Sequence, residues 1–290
     1  MENTVPENDA IALDLLLEKV YREGGHDFRE YKRGTVTRRL QRRLHATGAK
    51  TYLDYMEFLD AHPEEYHKLA DDLTIKVSGF FRSPYTFQQV SRLVLPELVS
   101  HKRNQEEWSL RFWSTACAQG EEPYSIAILL AEFLENRLRD FNISIYATDI
   151  DRRALGEAQA GIYSLKDIEG LPSAILESYF TPHGEGYMVR DDIRQMLRFF
   201  YFDLTSTTPP FAGLDCIFCC NVLIYLQKQL QERVLNMLYD SLAMPGYLVL
   251  GEVEAPPSDF HKKIECLDSK ARIYRKEGVE GRCQLKYTAF

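Results

Sequence analysis

The chain has 290 residues, 45% of them hydrophobic, and a formal net charge of −8. That length suits one Rossmann-sized domain with a smaller companion, and the composition excludes a disordered scaffold. No apolar run approaches the ~18 residues a membrane helix needs. The acidic start MENTVPE is neither a secretory signal nor a transit peptide, and six scattered cysteines do not form a secreted disulfide framework. A cytoplasmic protein without membrane insertion or general nucleic-acid binding is expected.

The first ~90 residues read as helices. Ile11, Leu15, Leu16 and Val20 recur at helical spacing, beginning after Asn8 or Asp9 and fading at Gly24-Gly25. Val36, Leu40 and Leu44 form an i, i+4 stripe that Gly48 closes, and Tyr52, Tyr55, Met56 and Leu59 form a third helix ending near His62-Pro63. Between Glu30 and Asp54 there is no acid, whereas Lys32, Arg33, Arg38, Arg39, Arg42, Arg43 and Lys50 fall inside that stretch. At 100° per residue Arg38 and Arg42 point away from the apolar stripe, and Arg39 and Arg43 flank it. A basic block retained by an acidic protein implies an anionic partner; a solvated helix face is the alternative.

After residues 101–107 the period changes. Residues 110–116 and 143–148 read as strands, each followed by a helix, with Pro123 at the first helical position. Strands follow at 198–202, 214–219 and 247–251, with a helix at 228–243 and a closing antiparallel pair at 272–275 and 284–287. Alternating strands and helices predict a parallel sheet. Residues 161–197 carry Pro172, Pro182, Gly184 and Gly186 and are too long for a bare loop, which predicts a small inserted subdomain.

Open parallel sheets bind ligands at the carboxyl ends of their strands. Here the first such turn is ACAQGEEP (116–123), whose single Gly120 and acidic pair would repel a pyrophosphate and suit a ligand bearing positive charge. S-adenosylmethionine carries both an ammonium and a sulfonium. Asp149 ends the next strand, where a carboxylate accepts from ribose hydroxyls; an N-cap is the alternative, which Asp151 could equally fill. Asp203 is placed for an adenine amine, and Cys220-Asn221 follows the apolar strand 214–219. Cys216, Cys219 and Cys220 lack a second pair for zinc and read as small hydrophobes, so no metal is expected.

The segments SGFFR (78–82), FWSTACAQGEEPYSI (112–126), YATDID (146–151) with AGIY (160–163), and IFCCNVLIY (217–225) together resemble CheR-type chemotaxis receptor methyltransferases. The resemblance runs in family order from about residue 12 to 255. It implies an all-α N-terminal domain at 1–90 that docks receptors, and a Rossmann-like S-adenosylmethionine-dependent methyltransferase domain at 91–290 with a small β-subdomain inserted at about 161–197. It implies methyl transfer to glutamate carboxylates on the cytoplasmic helical region of chemoreceptors, with S-adenosylhomocysteine as product. Lys76, Ser78, Arg82, Glu121, Asp149, Asp203, Leu204, Cys220 and Asn221 would hold the cofactor, Arg82 on its carboxylate and Glu121 on its ammonium. Tyr225 would lie beside the sulfonium, Arg103 near the acceptor, and Arg38, Arg39, Arg42 and Arg43 would dock the receptor.

The chain departs from the family in having Lys76 for Asn, Cys220 for Arg, and Gly251-Glu-Val-Glu254 for Gly-His-Ser-Glu. Its inserted subdomain is short, which implies independence from a receptor tail peptide. A small-molecule methyltransferase and an adenosyl-binding interaction module without turnover are the competing readings.

Overall fold

In the computed structural model, residues 7–74, 77–206 and 208–276 are described. The described residues divide into two compact units, those up to 74 with 225–231, and those within 77–224 with 232–276.

The first unit contains four helices, α1 (Glu7–Gly24), α2 (Arg33–Thr47), α3 (Tyr52–Ala61) and α4 (Glu65–Leu73). Leu13, Leu16, Leu17 and Val20 of α1 pack with Val36, Leu40, Tyr55, Leu59, Leu69 and Leu73. Their i, i+3, i+4, i+7 spacing is the core face of α1, whereas Ile11 and Leu15, taken into the stripe from sequence, are 56% and 52% exposed. Gly48 ends α2 in the left-handed region, φ 77°, and a Thr51–Asp54 capping box starts α3. Residues 225–231 belong here. The Lys32 amide donates to the Tyr225 carbonyl at 2.8 Å, the Gln227 amide to Glu30 O at 2.8 Å, and Tyr31 bridges Leu226.

The second unit opens with α5 (Pro84–Gln89), a π-helical turn at Val90–Val94 and α6 (Leu95–Asn104). Phe87, Val90, Val94, Leu95, Leu98 and Val99 share one core with Phe112 and Phe218 of the sheet. This shared packing places residues 87–99 in the core of the sheet-bearing unit. There follow β1 (Ser109–Ser114), α7 (Glu121–Leu134), β2 (Asn142–Asp149), α8 (Arg152–Ala160), β3 (Ile162–Ser164), α9 (Ser173–Tyr179), β4 (Phe180–His183), β5 (Gly186–Val189), α10 (Asp191–Arg194), β6 (Leu197–Tyr201), β7 (Leu214–Cys219), α11 (Lys228–Ser241), β8 (Leu242–Leu250), β9 (Ile264–Asp268) and β10 (Ile273–Lys276). Helix α7 begins at Glu121, so Pro123 sits third in its first turn, where no intrahelical donor is needed.

The seven-stranded sheet has the order β6-β2-β1-β7-β8-β10-β9. The first five strands are parallel, β10 is antiparallel to both its neighbours, and β9 therefore runs in the direction of the first five. Strand β7, buried at every residue, is its centre. The order reverses between β1 and β7, which makes that crevice the topological switch point. Strand β10 pairs with β8 and β9; residues 284–287, read as its partner from sequence, lie outside the described residues. The insert is a three-stranded antiparallel sheet, β3-β5-β4, anchored by Phe80 against Tyr163 and Phe180 at 4.8 and 5.3 Å. Among the described residues no helix is long and apolar enough to cross a membrane.

Candidate cofactor site at the switch point

The turn after β1 is held from three sides. Thr148 Oγ1 accepts from Trp113 Nε1 at 2.9 Å and donates to Thr115 O at 3.0 Å, tying the ends of β1 and β2 together. The Cys117 amide donates to Thr148 O at 2.9 Å. Gly120 adopts φ 96°, and a Cβ there would meet the Ala158 Cβ at 2.9 Å, so the turn needs glycine for both conformation and space.

At the start of α7, Glu121 is buried, 5% exposed. The Ser78 hydroxyl donates to its carboxylate, while burial raises its pKa. Oε2 of Glu121 is buried with no hydrogen-bond partner. The segment carrying Ser78 is fixed over this helix: the Phe81 amide, at φ 48°, donates to Ser125 Oγ at 2.8 Å, and Ser125 Oγ donates to Glu121 O at 2.7 Å. Arg82 is exposed and donates to the Val77 carbonyl at 2.5 Å.

Asp149, at the end of β2, accepts from the Ala118 amide at 2.8 Å and the Asp151 amide at 2.9 Å. The N-cap role is taken by Asp151, whose side chain accepts from the Arg153 and Ala154 amides. Desolvation raises the Asp149 pKa against those donors. A carboxylate has about four acceptor positions, so two bonds leave capacity for ligand hydroxyls. Asp203 follows β6 and accepts from the Thr205 amide at 2.8 Å, and Leu204 beside it is buried.

The end of β7 carries two features that motif reading leaves without roles. Glu122 accepts from Ser114 Oγ at 2.7 Å, and the nearby Cys220 thiol donates to Val249 O at 3.8 Å. Desolvation pushes Glu122 up to about 7 and the Cys220 thiol well above its ordinary range. Asn221 sits in the left-handed region at φ 61°, and its amide donates to Glu254 at 2.9 Å. Glu254, 3% exposed, also accepts from the amides of Gly251 at 2.8 Å, Ile224 at 3.2 Å and Leu223. Burial raises its pKa and these four donors oppose the rise. The clamp uses Gly251 and Glu254, the two positions of this segment that keep the Gly-His-Ser-Glu pattern, while the departures Glu252 and Val253 are exposed.

The structure therefore gathers Ser78, Glu121, Asp149, Cys220 and Asn221 around the carboxyl ends of β1, β2 and β7, with Asp203 and Leu204 beyond β6. Lys76 lies outside the described residues. Tyr225 belongs to the first unit, half-buried and within electrostatic reach of Arg39. Arg103 lies in the last turn of α6, lining a cleft with Ser100, Trp108 and Arg137. The preceding Lys102 is buried and paired to Asp215 at 2.8 Å, which pins this turn to the amino ends of β1 and β7. The six-residue β1 spans about 20 Å, at ~3.3 Å per residue, between Arg103 and the gathered set.

The docking quartet on α2 also divides. Arg43 donates to Glu65 at 2.8 and 2.6 Å and pairs with Asp72 at 3.2 Å; Arg39 donates to the carbonyls of Asp72 and Thr74. Both flank the apolar stripe and are consumed by α4. Arg38 and Arg42 are exposed, pointing away from it.

The sequence matches the family described as CheR methyltransferase, SAM binding domain, over residues 76–273, and CheR methyltransferase, all-alpha domain, over residues 11–74. The chain belongs to the CheR methyltransferase family. It is 31% identical over 246 residues to a chemotaxis protein methyltransferase of Borreliella burgdorferi, covering 83% of this chain and 87% of that one. Chemotaxis protein methyltransferase 2 of Vibrio cholerae is 33% identical over 251 residues, covering 84% and 86%. An uncharacterized 104.1 kDa protein of Rhodobacter capsulatus is 35% identical over 246 residues; that match covers 85% of this chain and only 26% of the larger protein.

S-adenosylmethionine is the cofactor of this family's domain, and the residues present fit it. The orphaned Glu121 oxygen at the helix start needs a cationic donor, which an ammonium supplies. Asp149 keeps acceptor capacity for hydroxyls. Among the described residues no three His, Cys, Asp or Glu side chains gather as metal ligands.

Proposed function

We infer that this chain methylates glutamate side-chain carboxylates on the cytoplasmic helical region of chemoreceptors, forming methyl esters. The observation that carries the reading is the exposed pair Arg38 and Arg42 on α2. These are two guanidiniums one helical turn apart, in an otherwise acidic chain, and they suit an acidic helical partner. The relatives named chemotaxis protein methyltransferase support the same reading. The helical unit is then the docking domain, and the short insert β3–β5 leaves docking independent of a receptor tail peptide.

In this mechanism Ser78 and Arg82 hold the methionine end, Arg82 on its carboxylate and Glu121 on its ammonium. Asp149 would take the ribose, Asp203 with Leu204 the adenine, and Cys220 and Asn221 would wall the slot. The cofactor supplies an activated methyl group on a good leaving sulfur. A glutamate acceptor is already ionised at neutral pH, so the chain need provide no general base. Its residues bind, align the acceptor oxygen in line with the methyl group, and exclude water.

The test is incubation with methyl-labelled S-adenosylmethionine and receptor-containing membranes, followed by mild alkali. Alkali-labile label on receptors is the expected result. Alkali-stable label, or transfer only to small molecules, overturns the glutamate assignment.

A further inference from the structure

Glu122 spans the switch-point crevice. It is the second residue of α7, it accepts from Ser114 at the end of β1, and the Cys220 side chain just beyond β7 acts on it from close by. The carboxylate thus bridges the two strands between which an open parallel sheet takes its ligand. Nothing above gives it a task, because the ammonium is met by Glu121.

Its surroundings are short of positive charge. Glu254 faces it from the segment after β8, and Arg82, exposed and bonded to Val77 O, is the cation that acts on it from residues 77–83. Glu121 neighbours it on α7. The thiols of Cys117, Cys216, Cys219 and Cys220 also feel its charge, and burial pushes every one of them up, so they stay neutral near pH 7. Ser114 contributes only a hydroxyl. A half-buried carboxylate beside another carboxylate, a hydroxyl and a thiol is stabilised by a cation entering the crevice.

We propose that Glu122 is a specificity-determining residue that separates the sulfonium cofactor from its uncharged thioether product. In the transfer, the sulfur–methyl bond breaks with its electron pair left on sulfur, and a bond forms between the methyl carbon and the acceptor oxygen. Both ligands carry the same ammonium and carboxylate, so the sulfonium is the one charge that disappears. Ionised Glu122 attracts the donor and is nearly indifferent to the product. Protonated Glu122 distinguishes them weakly. The proposal rests on the cofactor assignment and not on the identity of the acceptor.

The test is calorimetric binding of S-adenosylmethionine and S-adenosylhomocysteine to the full chain between pH 6 and 8, without acceptor. Because Glu122 sits at about 7, a titration linked to binding raises the preference for donor over product roughly fivefold across this range. Glu122→Gln is expected to lower that preference about tenfold and to remove the part of the pH dependence not due to the ligands themselves. Ser114→Ala, which removes a bond favouring the ionised form, is expected to move the wild-type midpoint upward. If Glu122→Gln weakens both ligands equally, or tracks the wild type at every pH, the proposal is overturned. Should Glu122→Gln fail to fold, a flat wild-type preference together with an unmoved midpoint in Ser114→Ala overturns it equally.

Discussion

Replacing Glu254 by glutamine tests whether one buried carboxylate builds the wall of the cofactor site. Two oxygens of Glu254 serve four backbone amides, those of Asn221, Leu223, Ile224 and Gly251. Four donors and no acceptor require an acceptor-only group. A glutamine keeps one oxygen and turns an NH2 toward the remaining amides, donor against donor. Each stranded amide costs ~1–3 kcal/mol, and the surviving bonds lose their charge assistance. Relief of a buried charge offsets part of this, since burial raises the Glu254 pKa. The net expectation is a loss of about 1–3 kcal/mol, or roughly 3–10 °C in the Tm of a unit this size. The sharper consequence is on binding. Asn221 is held at φ 61° by this clamp, and a displacement of ~1 Å at a site costs on the order of 100-fold in turnover. Differential scanning calorimetry with and without S-adenosylmethionine reads both effects, with exposed Glu252→Gln as the control, expected within ~0.5 kcal/mol of wild type. A Glu254→Gln protein that keeps its Tm within a degree and its cofactor affinity within twofold would refute the clamp.

Arg43→Ala leaves Glu65, 2% exposed, with only the longer 3.8 Å pair to exposed Lys68 and the Tyr55 hydroxyl, and is expected to cost about 3 kcal/mol in denaturant unfolding. The double change Arg38→Ala with Arg42→Ala is expected to leave Tm unaltered while weakening receptor binding about tenfold and flattening its salt dependence, measured by co-sedimentation with receptor membranes. Gly120→Ala forces a Cβ to within 2.9 Å of the Ala158 Cβ at a positive φ; a drop in Tm from at least ~1–3 kcal/mol of strain and lost calorimetric cofactor binding are expected. The ligand-free protein provides a pH test. Glu122 is raised in the fold from 4.5 to about 7, so its contribution is fully present below about pH 4.5 and is lost as pH rises through 7. The Tm of Glu122→Gln relative to wild type is therefore expected to rise from pH 5 to pH 8, by the equivalent of ~1–3 kcal/mol, and a parallel pair of curves would remove the basis for the shift.

Much of the architecture is carried locally and so is readable from the chain. The alternation of apolar strands with helical stripes, the glycine at 120, the glycine at 48 and the basic run on α2 are properties of near neighbours, governed by backbone sterics and side-chain period. These features and four ordered motifs are enough to indicate the family and a cofactor with positive charge. Even here, packing chooses among faces: α1 presents Leu13 and Leu17 inward and leaves Ile11 and Leu15 exposed, since both stripes have helical spacing and only the partner helices select one.

What folding alone decided are the pairings between distant segments. The helical period sets Arg39 and Arg43 beside the apolar stripe, but only the fold supplies Glu65, Asp72 and Thr74 as the groups that consume them. The turn carrying Arg103 is held at the amino ends of β1 and β7 by the pair Lys102–Asp215, a partnership between segments over a hundred residues apart. Cys220 meets Glu122, and Glu254 meets Asn221, because the sheet order brings β7 beside both β1 and β8. A sequence records which groups can ionise or donate, but desolvation and hydrogen-bond geometry depend on what stands across the crevice, and that is set by the strand order.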